Sequence, residues 1–496
     1  MRLISLIFII FVLSACTVGP DYKRPSVDVP MQFKEAPPGW KIAQPKDDVN
    51  RGNWWEVFND PKLNQLETTL NKSNQNIATA AANYSQALDL VDEARAGYFP
   101  TVDGVGSVFR QRQGSFGSTG FVTSTSGSTS PGIGTGGSHT AAEFTSYSLL
   151  LSATWQPDIW GQVRREVEAS ASGAQASHAL LASTRLSQQA LLAQSYFELR
   201  ALDTDQKLLN VTVADYKESL KLTQFQYKSG VASEADIVQA QSQLQSAQAQ
   251  AINNGIARAQ YEHAIAVLIG KLPEQVSFAS MPLKAKPPQI PLIVPSTLLE
   301  RRPDVAQAER LMAQANAQVG VAISAFYPTF PLTGTSSVSN TALNQLFKLP
   351  SLSWAVGQQV SETIFNGGLR IATVKAARAG YDSTVASYRE TVLAAFQSVE
   401  DNLSSLRILE QEGVVLNQAA DSAREALKLT INQYRAGTVP YSSVIVSQTA
   451  AYLAEKNAAD NVGLQMTSAV GLITALGGGW DVCEVCKSPP SQVWSF

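Results

Sequence analysis

Three histidines and three cysteines are the residues of this chain best suited to catalysis or metal binding, and their spacing supports neither. His139, His178 and His263 lie far apart, the first in a Gly- and Ser-rich stretch and the others in helix-like segments. They show no metal spacing and no nucleophile–base pattern, so each is expected on a surface or in packing. Cys483 and Cys486 form a C-x-x-C pair beyond the run Gly477-Gly478-Gly479. A structural metal wants four ligands, and no second pair or nearby His completes a set. The pair reads as part of a tail, with a disulfide or thiol site as the alternative. The glycines of GSFGSTGFVTSTSGSTSPGIGTGGSHT are not followed by the Lys-Ser/Thr and helix of a phosphate loop, which leaves a flexible loop. No enzyme, no catalytic residue, no metal and no cofactor is expected, apart from a covalent group on the remaining cysteine.

That cysteine, Cys16, ends MRLISLIFIIFVLSAC: one Arg, an apolar run from Leu3 to Leu13, then small residues. The layout is that of a secretory signal over 1–15, too short for a spanning helix with proper flanks. Its Leu-Ser-Ala-Cys ending resembles the lipobox of bacterial lipoproteins. The resemblance implies cleavage before Cys16, diacylglycerol on its sulfur and a third acyl chain on its nitrogen. At ~0.8 kcal/mol per buried methylene these make a firm anchor. An ordinary signal with an incidental Cys is the alternative. Thr17 follows rather than Asp, which by the same resemblance favours the outer membrane.

With 38 basic and 41 acidic residues the net charge is -3, so no basic surface for nucleic acid is announced. A length of 496 residues allows about three ordinary domains, but repetition changes that count. KLTQFQYKSG at 221–230 returns as KLTINQYRAG at 428–437, YFPT at 98–101 as FYPT at 326–329, and DIWGQVR at 158–164 as TIFNGGLR at 363–370. Two copies of one unit, 55–272 and 296–480, are therefore expected, joined by a Pro-rich connector over 273–295. A lipidated segment over 16–54 precedes them and a tail over 481–496 follows.

Each copy switches periodicity. In YSLLLSATW, Tyr147, Leu149, Leu151, Ala153 and Trp155 alternate with mostly Ser and Thr. FPLTGTSSV and LSWAV alternate likewise, and VDGVGSVF from Val102 does so poorly, which predicts four strands, two per copy. From Gln162 to Gln226 nothing breaks a helical pattern, on the order of 100 Å at ~1.5 Å per residue. Gly230 supplies a left-handed stop, and Ser233 with Asp236 starts the next helix as a capping pair. In the second copy Gly437 stops the helix and Pro440 is expected in the first turn of its successor. Each recurring Tyr-x-x-Gly thus marks the tip of a hairpin of long helices. The returning helices carry a seam of small residues, Ala240, Leu244 and Ala247 aligning with Ser447, Ala451 and Ala454, suited to close coiled-coil packing.

After the signal no run of 18 or more apolar residues remains, so a bilayer crossing must be a closed β-barrel. Four strands cannot close around a channel. Three copies give twelve strands, an even number in the usual range.

PDYKRP after Cys16, WWEVFNDPKLNQL at 54–66, LLERRPDVAQAERLMAQANAQVGVAISAFYPTFPLTG at 298–334 and ALGGGW at 475–480 resemble the outer-membrane efflux factors, the TolC-like trimeric lipoproteins. The resemblance covers nearly the whole mature chain. It implies a mainly α protein with membrane β: a homotrimeric twelve-stranded barrel continued by an α-helical periplasmic tunnel, joined at its tip by a periplasmic adaptor and an inner-membrane pump. Arg301, Arg302, Pro303 and Asp304 are then structural, the last two opening a helix. The positions matching the family's closing gate are Ser442, Val446 and Thr449, where relatives often place Leu, Asp and Arg. A carboxylate ring is thus replaced by a ring of Val446 that can close by dewetting. Asp236 and Gln239 of the first copy sit at comparable places and can supply polar or charged rings. Tyr227, Lys228, Gly230, Tyr434, Arg435 and Gly437 form the tip surfaces expected to dock the adaptor. The competing reading is a lipid-anchored helical adaptor or scaffold without a pore, which has no use for the alternating strands.

Overall fold

The computed structural model describes residues 17–26, 33–35, 53–113, 142–283, 287–288 and 302–478. Cys16, His139, Arg301, Cys483 and Cys486 lie outside them. Its helices are α1 (Pro61–Ser73), α2 (Gln75–Ala96), α3 (Gln162–Lys228), α4 (Glu234–Leu268), α5 (Pro303–Ser324), α6 (Leu369–Arg435) and α7 (Tyr441–Ala475). Its strands are β1 (Thr101–Gln113), β2 (Ala142–Trp155), β3 (Leu332–Asn340) and β4 (Leu352–Gln358). The duplication is carried into length: α3 and α6 have 67 residues each, α4 and α7 have 35 each.

The chain divides into two compact units. One holds the described residues of 1–20 with Asp92–Val167 and Ala317–Ala377; the other holds Asp21–Val91, Glu168–Asn316 and the chain from Arg378 onward.

The first unit contains one antiparallel sheet in the order β1-β2-β3-β4. Its register sorts the residues by face. Val108, Tyr147 and Asn340 share a row; so do Gly106, Leu149, Val338 and Leu352, and Gly104, Leu151, Ser336 and Trp354. Val102, Ala153, Gly334 and Val356 continue that face, which is largely apolar over these four rows and turns charged beyond them at Arg110, Arg112 and Glu143. The opposite face carries Asp103, Ser107, Ser148, Ser152, Thr335, Ser337 and Ser353 with Val105, Phe109 and Leu150 among them, and hydroxyl pairs Ser107–Ser148 at 2.6 Å and Ser337–Ser353 at 2.7 Å. Val102, Val108, Val356 and Trp354 of the largely apolar face are exposed. β1 and β4 are edges of an open sheet, and paired strands of a membrane wall leave no such edge to lipid. At the Thr101–Trp155 end, Trp160 stacks on Tyr327 at 4.9 Å, and residues 17–19 are held by Val18 N–H to Trp160 O and by Arg165 to the Val18 and Gly19 carbonyls.

The second unit is helical. Trp54, Trp55 and Phe58 form a one-turn plug, Asn59 takes the left-handed conformation (φ 52), and Asp60 caps α1 with bonds from the Lys62 and Leu63 amides. Trp54 Nε1 donates to Gln189 and Tyr196 to Asp60, fixing the plug on α3 over a core of Leu63, Leu70, Leu192, Phe197, Tyr388 and Val392. Pro303 and Asp304 do open α5, and Arg302 forks onto Asp304 while donating to the Ala475 carbonyl at 2.8 Å. One guanidinium thereby satisfies a carbonyl at the end of α7 and neutralises a carboxylate at the start of α5. Asp203, fully buried, accepts from Arg200, Arg258 and the Met281 amide, pinning the connector to the first hairpin.

Candidate functional site at the hairpin tips

Both tips are closed by the same backbone device. The Gly230 amide bonds the Tyr227 carbonyl at 2.9 Å and the Val231 amide the Gln226 carbonyl at 2.9 Å; Gly437 to Tyr434 and Thr438 to Gln433 repeat this at 3.0 Å each. This is the Schellman arrangement, with Gly230 (φ 73) and Gly437 (φ 74) in the left-handed region that favours glycine. Ser233 and Asp236 form the expected capping box, the Asp236 carboxylate accepting from both the Ser233 amide and hydroxyl. Asp236 is thus engaged at its own helix start. Pro440 differs from expectation: it is the residue before α7 rather than in its first turn.

The aligned tyrosines diverge. Tyr227 is exposed, as are Lys228, Gly230, Arg435 and Gly437. Tyr434 is only 6% exposed: its ring lies 5.4 Å from that of Tyr441, and its hydroxyl donates to Thr223 Oγ1 at 3.1 Å. The tip surface thus includes Tyr227 but not the Tyr434 side chain, whose carbonyl accepts instead from Gln226 Nε2 at 3.2 Å. Burial pushes the Tyr434 and Tyr441 hydroxyls above the usual tyrosine value, so both stay neutral.

Sequence reasoning missed the bonds that tie the two hairpins together. Besides the Tyr434–Thr223 and Gln226–Tyr434 links, Gln448 Nε2 donates to Ser219 Oγ at 2.7 Å, and Gln243 Nε2 reaches both Thr449 Oγ1 at 3.1 Å and Tyr216 OH at 3.2 Å. Arg435 lies 3.7 Å from Glu218, both exposed. Beneath them Ala240, Tyr434, Tyr441 and Val444 form a small buried cluster. A partial signal was present: Tyr216, Ser219, Thr223 and Gln226 make a polar stripe at helical spacing of which the repeat keeps only half, with Thr430 and Gln433 retained and Ala423 and Ala426 in place of Tyr216 and Ser219. Of the residues matched to a gate, Val446 is 68% exposed, Ser442 and Gln239 are exposed, and Thr449 is half-buried through its bond to Gln243. Ser442, Val446 and Thr449 share one face of α7, since they stand four and three residues apart. Among the described residues no three His, Cys, Asp or Glu gather as metal ligands.

Duplicated hairpins of 67- and 35-residue helices with an open four-stranded sheet are the parts of a membrane duct. Comparison with known proteins agrees. The family model for the outer membrane efflux protein matches residues 68–271 and 294–478. The probable efflux pump outer membrane protein TtgC of Pseudomonas putida is 29% identical over 484 residues, 96% of each chain. The solved outer-membrane channel OprN superposes with a TM-score of 0.82 at 27% identity, over 94% of this chain and 100% of its own. The Campylobacter jejuni CmeC outer membrane channel shares the fold, with a TM-score of 0.84 at 21% identity over 94% and 96%. The chain belongs to the outer membrane efflux protein family, and its part in transport is that of an outer-membrane channel.

Proposed function

We propose that three copies of this chain form a passive exit duct for drugs or other small toxic solutes, opened at its periplasmic tip by an adaptor and an inner-membrane pump. The observation that carries the reading is the open sheet: one largely apolar face, one Ser- and Thr-rich face, and two edges unpaired among the described residues. Twelve strands from three chains pair every edge, turn the apolar face to lipid and the hydroxyl face to water. Cys16 carries the lipid anchor in the outer membrane. The exposed surfaces of Tyr227, Lys228, Gly230, Arg435 and Gly437 dock the adaptor, and Val446, exposed on its own chain, meets its two copies to close the pore. The scaffold reading leaves the sheet without a purpose. Purified protein reconstituted in planar bilayers tests the choice: discrete conductance steps, with three-fold particles in electron microscopy, are expected. A monomer without conductance overturns the duct.

A further inference from the structure

The duplication repeats two junctions. DIWGQVR (158–164) and TIFNGGLR (363–370) each turn a strand into a long helix; YFPT (98–101) and FYPT (326–329) each turn a helix into a strand. Within one chain the strand-to-helix junction of the first copy meets the helix-to-strand junction of the second. There Trp160 stacks on Tyr327 with an interplanar angle of 29°, and Trp160 Nε1 donates to the Pro328 carbonyl at 2.7 Å. This joint stands where β2 pairs β3, beside the Trp155–Leu332 pair.

The two remaining junctions flank β4 and β1, the unpaired edges. Aligned with Trp160 is Phe365, and aligned with Tyr327 is Phe99. These two are 88% and 71% exposed, and Ile364 beside them is 97% exposed, whereas its counterpart Ile159 is half-buried. An edge strand that must pair in a membrane wall, ending in an aromatic pair left open at both sides, calls for the same joint made between chains.

We propose that Phe365 of one copy docks on Phe99 of the next, repeating the Trp160–Tyr327 joint at each subunit boundary. The partner is a second copy of this chain, and the inference rests on the trimer proposed above. Because Phe replaces Trp, the joint between chains lacks the indole donor and is apolar. Two consecutive left-handed glycines, Gly367 (φ 62) and Gly368 (φ 88), replace the single Gly161 (φ 80), so the chain approaches this joint through a differently shaped turn.

The test places cysteines at both positions (F99C with F365C) in full-length protein with Cys483 and Cys486 changed to Ser, and treats it with a short bis-maleimide. Covalent dimers and trimers on a denaturing gel are expected from the double variant. W160C with Y327C, crosslinked within one chain, should stay monomeric on that gel. A second readout is the temperature at which the detergent-resistant trimer dissociates: Phe365→Asp should lower it by several degrees and Phe365→Trp should leave it near wild type. A double variant that is trimeric by native mass yet yields no covalent oligomers, or a Phe365→Asp trimer as resistant as wild type, overturns the joint and leaves the trimer standing. Wild-type protein that is monomeric by native mass overturns the trimer itself.

Discussion

Thr223→Val should open the tip more than Tyr434→Phe, although the two substitutions delete the same hydrogen bond. Tyr434 is buried and donates to Thr223 Oγ1. Thr223→Val strands that hydroxyl, at a cost of about 1–3 kcal/mol. Tyr434→Phe leaves the Thr223 hydroxyl still donating to the Ser219 carbonyl at 2.9 Å, so no group is orphaned and the loss is about 0.5–1.5 kcal/mol. In a three-fold ring that opens together, a loss of about 1 kcal/mol per chain becomes about 3 kcal/mol. That is roughly a hundredfold in the population of the open form. The double variant should fall back toward Tyr434→Phe alone, because the orphan hydroxyl is gone. Open probability in single-channel recordings is the assay, with entry of a large, normally excluded antibiotic into whole cells as its counterpart. An unchanged open probability in Thr223→Val, together with a lowered melting temperature, would refute the lock and make the bond merely structural.

Val446→Ser should raise conductance at the closed tip several-fold, since a dewetted apolar ring becomes wettable; an unchanged leak counts against the ring. Lys228→Glu with Arg435→Glu should weaken adaptor capture in pull-downs, with little change in stability because the Arg435–Glu218 pair is exposed. Glu67, fully buried with neither carboxylate oxygen partnered among the described residues, is pushed by burial up to about 9 from 4.5. The folded state therefore holds its proton, and stability present below about pH 4.5 is lost as pH rises toward 9, on the order of 3 kcal/mol by pH 7. Glu67→Gln should melt several degrees above wild type at pH 8 and converge with it at pH 4; parallel melting curves at both pH values would contradict this.

How far each feature could be read depends on the range over which it is determined. The stops at Gly230 and Gly437 and the Ser233–Asp236 box are set by backbone chemistry within a few residues, and the structure has them where the sequence puts them. β1 alternates poorly for a reason only the register supplies. Gly104 and Gly106 occupy its apolar face opposite Leu151 and Leu149, whose methyl groups lie 3.6 and 3.9 Å from where a Cβ would be. The partner strand brings the apolar surface that β1 lacks. The polar stripe on α3 hinted at the ties between the hairpins, but not at their partners, which are 211 and 229 residues away in the Tyr434–Thr223 and Gln448–Ser219 pairs. Tyr227 and Tyr434 carry the same letter in aligned segments, yet one is outside and one inside, and no local pattern separates them.

The duplicated hairpins match in length but not in what holds them. Tyr216 and Ser219 have no polar counterparts in α6, where Ala423 and Ala426 stand, so the bonds of Gln243 to Tyr216 and of Gln448 to Ser219 have no equivalent in the second hairpin. The second keeps its own internal ties, Tyr434 against Tyr441 and Ser447 to Thr430 at 3.1 Å, which do not depend on those bonds. The grip between the hairpins is close to balance. Each bond contributes about 0.5–1.5 kcal/mol, while Gln226 Oε1, Gln448 Oε1 and the Tyr441 hydroxyl, buried in the same layer, have no partner among the described residues and forfeit solvation of about 1–3 kcal/mol each. On the docking proposed above, an adaptor that prefers the released form by a few kcal/mol is enough to shift a tip held by so small a difference.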